Sequence, residues 1–94
     1  MGLFGPPRAE LEQTAREMAK HSVKSGSLDN AGVYEAMQMG MQFVRFKRTG
    51  RFKTASLCKR YKLNLVDLGI RKDEADRLKR RLVITMQRHA KGRE

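Results

Sequence analysis

The sequence has no tryptophan, one cysteine at position 58, two histidines, and two prolines that stand together at positions 6 and 7. Each shortage excludes something. A lone cysteine cannot close an internal disulfide, so the disulfide-stapled secreted scaffolds are ruled out. A reducing compartment is expected, placing the chain inside the cell, in the cytoplasm or with the nucleoid or nucleus. His21 and His89 are far apart in sequence and neither is near Cys58, so no nucleophile–base pair is spelled out. Cys58 reads as a small buried hydrophobe. There is no phosphate-cradling glycine loop and no zinc-ligand spacing. No apolar run approaches the roughly 18–20 residues needed to span a bilayer. The opening Met-Gly-Leu-Phe-Gly-Pro-Pro lacks the basic start and apolar stretch of a signal peptide. Pro6 occupies the position where N-myristoylation needs Ser or Thr. The expectation is a chain that is not an enzyme, uses no cofactor or metal, and does not enter a membrane.

Length allows one domain and no more: 94 residues, of which 39% are hydrophobic and 33% charged. Such a chain buries only about 60–65% of its unfolded surface, so its core is small. Residues 1–7 read as a flexible lead, since Pro6 and Pro7 favour extended backbone. Residues 8–94 read as a single helical domain with a basic half at 45–94.

That basic half is the strongest signal present. The formal net charge is +11. Met1 to Val44 carries four basic and five acidic residues, a net −1, whereas Arg45 to Glu94 carries seventeen against five, a net +12. A charge imbalance confined to one half is the footprint of contact with a polyanion.

Periodicity predicts helices. The first spans about Ala9 to Val23, with Leu11, Ala15, Met18 and Ser22 on a narrow stripe that places it at the edge of the core. Ser25-Gly26-Ser27 breaks it. A second helix follows Ser27 as cap, with Asp29 in its first turn, and continues to about Lys47. Val33, Met37, Gly40 and Val44 form its stripe, widened by Tyr34, Met41 and Phe43. This Met-rich face is read as core, or else as a surface that adapts to a partner. A homodimer through Val33, Met37, Met41 and Val44 is the corresponding partner expectation. Residues 43–54 read as a helix end followed by a loop, or as a hairpin of Val44, Phe46 and Phe52 turned at Thr49-Gly50. A short third helix spans Ala55 to Lys62 behind Thr54 as cap, and one further turn near Asn64 ends at Gly69.

The fourth helix, about Lys72 to Lys91, is the most informative. Asp73, Glu74 and Asp76 suit its start, and they read as helix-start residues in preference to a metal site. At 100° per residue, Ala75, Leu78, Leu82, Met86 and His89 fall within about 80° of one another, and Arg77, Arg80, Arg81, Arg88 and Lys91 fall within about 100° on the opposite side. Arginine's planar fork pairs with phosphate and with guanine edges. Ile84 lies within the basic arc, available to a thymine methyl, a sugar or a partner protein. The β-branched run Leu82-Val83-Ile84-Thr85 offers a strand as the alternative. A second cluster interleaves Arg45, Lys47, Arg48, Arg51 and Lys53 with Phe46 and Phe52, joining cations for phosphates to rings for unpaired bases. Lys59, Arg60 and Lys62 extend the positive surface along the third helix.

In outline, residues 54 to 91 resemble a helix-turn-helix, in which the second helix enters the major groove. The fold expected is all-α, a small three- to four-helix domain with a helix-turn-helix-like C-terminal half. The function expected is non-enzymatic nucleic-acid binding, first as a small DNA-binding regulator. The alternatives are an RNA-binding protein, viral or ribosome-associated, and a basic adaptor or inhibitor docking on an acidic protein. Peripheral membrane binding by the fourth helix ranks last, because its apolar face lacks the bulky Trp or Phe of interfacial helices.

Overall fold

The computed structural model describes residues 8–46 and 51–92, with side chains for 8–46 and 53–88. In order, the chain forms α1 (Arg8–Ser22), β1 (Val23–Lys24), β2 (Ser27–Leu28), α2 (Asn30–Phe46), α3 (Arg51–Asp67) and α4 (Lys72–Gly92). The all-α expectation holds, with one two-residue ribbon added. The flexible lead expected at 1–7 lies outside the described residues.

The ribbon forms where the sequence predicted only a break. Val23 pairs with Leu28 and Lys24 with Ser27. Ser25 and Gly26, with φ of 56° and 81°, are both left-handed. That is the requirement of a type I′ turn, whose twist matches that of the paired strands. The cap of α2 is a correction. Ser27 belongs to β2, and Asp29 caps the helix, its Oδ2 accepting from the Gly32 N–H at 2.9 Å. The Asp29 N–H donates to the Ser22 carbonyl at 2.9 Å, fastening the end of α1 to the start of α2. A methyl at Gly32 would be driven into the His21 carbonyl, so only glycine permits this approach.

The position of α1 is also a correction. It packs on both α2 and α3 and so lies at the centre of the domain. The stripe looked thin because its residues are small. Ala15, Ala19 and Ser22 are fully buried, and small side chains let two neighbouring helices approach at once. Ser22 is satisfied there: its Oγ donates to the Met18 carbonyl at 2.9 Å and lies 2.7 Å from the Tyr61 hydroxyl of α3.

α3 is one continuous helix where a short helix and a separate turn were expected. Asn64 does not break it, because Nδ2 donates to the Arg60 carbonyl one turn back at 2.8 Å. Thr54 lies inside the helix and does not cap it. The end at Gly69 is as expected. The Gly69 N–H donates to the Val66 carbonyl and the Ile70 N–H to the Leu65 carbonyl, both at 3.0 Å, with Gly69 left-handed at φ 97°. This is a Schellman cap, and buried Ile70 supplies its apolar contact. Only residues 68–71 separate α3 from α4, a tighter connection than the sequence suggested.

α4 is helical throughout the run that could have been a strand. Thr85 fits because its Oγ1 donates to the Arg81 carbonyl at 2.8 Å. The hairpin alternative at 43–54 is excluded on both flanks, since Val44 and Phe46 belong to α2 and Phe52 to α3. Residues 47–50 lie outside the described residues. Tyr34 does not widen the α2 core stripe, being 61% exposed, whereas Ala36 and Gly32 are buried.

Candidate nucleic-acid interface

α4 separates its two chemistries. Ala75, Leu78, Leu82 and Met86 are buried against the other helices. Arg77, Arg80, Arg81 and Arg88 are exposed, and Ile84 is 51% exposed among them. The sequence placed both arcs, because a 3.6-residue period and a single buried stripe leave no other arrangement. The side chains of His89 and Lys91 lie outside the described residues.

Charges on the outer arc are poorly balanced. Arg77 and Arg81 are four residues apart, and Arg77 and Arg80 three, so they are surface neighbours that repel by about 0.2–0.5 kcal/mol per pair. Arg80 has a counter-charge, Asp76, whose Oδ2 lies 3.1 Å from its Nη2. Among the described residues, Arg77, Arg81 and Arg88 make no ion pair. An anion from outside would remove that repulsion.

Asp76 also joins the two helices. Its Oδ1 accepts from Lys62 Nζ of α3 at 3.1 Å while Oδ2 faces Arg80. The Lys62 hydrogen bond holds the carboxyl below its ordinary 3.8, opposed by partial desolvation and assisted by the charges of Lys62, Arg80 and Lys79. One carboxylate therefore gathers cations from both helices along the α3–α4 seam. Lys79 was not among the cations the sequence singled out, whereas Lys62 was, as part of the positive surface along α3, and its ammonium is turned to Asp76. Lys62 and Asp76 are 14 positions apart, and only the hairpin of α3 on α4 brings them together.

The remaining expected cations divide. Lys59 is exposed on the outer side of α3. Arg60 points the other way, towards α1, where Nη1 lies 3.9 Å from Glu12 Oε1. It does not share the α4 surface. Arg45 and Phe46 end α2, Arg45 exposed and Phe46 76% exposed, so that ring is not a core residue. Lys53 is half-buried in the first turn of α3. Lys47 and Arg48 lie outside the described residues, as do the side chains of Arg51 and Phe52.

The expected Met-rich face is occupied by the chain itself. Val33 and Met37 are 3% and 4% exposed and so have almost no surface to offer a second copy, while Met41 and Val44 are half-buried beside them. Cys58 is fully buried, and burial pushes its thiol up from 9.0 to about 11, only partly opposed by the charge of Lys79. A thiol held neutral is a poor nucleophile. No described helix is long and apolar enough to cross a membrane.

Fold and surface together define a small helical domain carrying a one-sided cationic helix. No protein-family profile matches the sequence, and no curated protein and no solved structure shows a significant likeness to it.

Proposed function

We propose that this protein binds nucleic acid without catalysis, as a small DNA-binding regulator that lays the outer face of α4 on a duplex. The observation that carries this reading is the arc of Arg77, Arg80, Arg81 and Arg88 with too few counter-charges of its own. Scale supports it. A helix is about 10–12 Å across and the major groove about 12 Å wide. The four-residue connection before α4 has the length found in helix-turn-helix units. Arginines would hold phosphates and guanine edges, and Ile84 would meet a sugar or a thymine methyl.

The test is fluorescence anisotropy of labelled duplex DNA, duplex RNA and single-stranded RNA over a range of salt concentrations. Sub-micromolar binding to duplex DNA at 150 mM salt is expected. The triple variant Arg77→Ala, Arg80→Ala, Arg81→Ala should abolish it, or flatten the slope of log K against log salt by about 2.7 where binding survives. A preference for either RNA would reassign the ligand. Binding that vanishes by 150 mM salt with no preference would discard the nucleic-acid reading and favour an acidic protein partner.

A further inference from the structure

The outer face of α2 differs from the rest of the surface. A third of the chain is charged, yet Asn30–Phe46 contains only Glu35 and Arg45. The face bears a ridge at four-residue spacing, Tyr34, Gln38, Gln42 and Phe46, in which Gln38 is half-buried and the other three are exposed. Both ends of the ridge are aromatic and largely exposed, at 61% and 76%. Its middle is two neutral amides. Aromatic side chains and arginine are enriched where proteins meet, and charges are depleted there.

We infer that α2 pairs antiparallel with α2 of a second copy of this chain, through that ridge. The sequence is self-complementary about position 40. In an antiparallel pair centred there, Tyr34 of one copy lies level with Phe46 of the other, Gln38 with Gln42, and Glu35 with Arg45. Amide thus faces amide, carboxylate faces guanidinium and ring faces ring, and each match occurs twice by two-fold symmetry. Charge selects this face. Two chains of net +11 repel, and among the described helices α2 alone carries a single charge of each sign. This pairing differs from a dimer through Val33 and Met37, which face the core. It rests on α2 alone and stands apart from the nucleic-acid reading.

Sedimentation equilibrium in 0.5 M salt, which screens the general repulsion, tests it over a concentration series from about 1 to 500 µM. The mass is expected to rise from 10.8 kDa towards twice that value. A contact of one helix per partner falls in the small, weak interface class, so a micromolar dissociation constant is expected. Glu35→Arg alone and Arg45→Glu alone each place like charges level twice over and should weaken association about three- to tenfold. The double variant Glu35→Arg, Arg45→Glu should restore it. Circular dichroism shows that each variant is folded. A chain that stays monomeric throughout overturns the proposal, as does a dimer that the double variant fails to restore. A Phe46→Ala change that leaves the mass unchanged and weakens single-stranded RNA binding would assign that ring to base stacking and likewise overturn it.

Discussion

Cys58 and Tyr61 stand three residues apart on α3, and the fold keeps both neutral. Burial raises the thiol to about 11 and also raises the Tyr61 hydroxyl, against the lowering effects of its Ser22 hydrogen bond and the charge of Arg81. Raised acids stabilise the folded chain below their unfolded values. Above pH 9 the unfolded chain ionises its thiol while the folded chain does not, so stability is lost between about pH 9 and 11. A shift of this size corresponds to a loss of at most about 3 kcal/mol. Urea midpoints measured at pH 8, 9.5 and 10.5 should fall steeply for the wild type. Cys58→Ala, although less stable at pH 8, should show a shallower decline. Equal slopes would mean that the thiol ionises as freely in the folded chain as in the unfolded one.

At the scale of elements, α3 is where local sequence and fold part company. Asn64 is a poor helix former, and a single chain of letters gives no sign that its amide will bond back to the Arg60 carbonyl. Replacing it with alanine should stabilise the protein by about 0.5 kcal/mol, since the position is helical and the propensity gain outweighs a half-exposed hydrogen bond. Thermal denaturation reads this directly, and a fall in Tm would mean that the hydrogen bond to the Arg60 carbonyl outweighs the propensity gain. Other elements were legible because one period determined them. The α4 stripe and its arginine arc follow from residues spaced three and four apart, and Gly69 marked its helix end through a positive φ that other residues resist. The central place of α1 was hidden by its alanines, which register weakly as hydrophobic but allow close packing. The Asp29 cap was misplaced by two residues because Ser27, an equally good cap by chemistry, is taken up by the ribbon. For the site, the arc on α4 was readable, whereas the Lys62–Asp76–Arg80 chain and the turning away of Arg60 depend on which helices pack together.

For the molecule as a whole, self-repulsion of a net +11 charge is a standing cost to the compact state. Neutralising it should be visible without any specific ligand. Added salt should raise Tm modestly, and a polyanion that binds the folded chain should raise it further, by about 2.7 kcal/mol of stability at a hundred times its Kd. Differential scanning fluorimetry with duplex DNA and with heparin separates the two effects. If both ligands act no more strongly than salt of equal ionic strength, the charge serves solubility only.

The one-sidedness of α4 also governs what happens before any contact forms. With cations crowded on one flank and the α2 flank nearly neutral, the centre of charge lies away from the centre of mass, and the domain is an electric dipole. Within about 10 Å of a polyanion at ordinary salt, the field exerts a torque as well as an attraction. The molecule would turn as it approaches and arrive with α4 foremost, so few encounters would be wasted on the wrong face. Salt would then slow arrival, while departure would be set by the contacts made on landing.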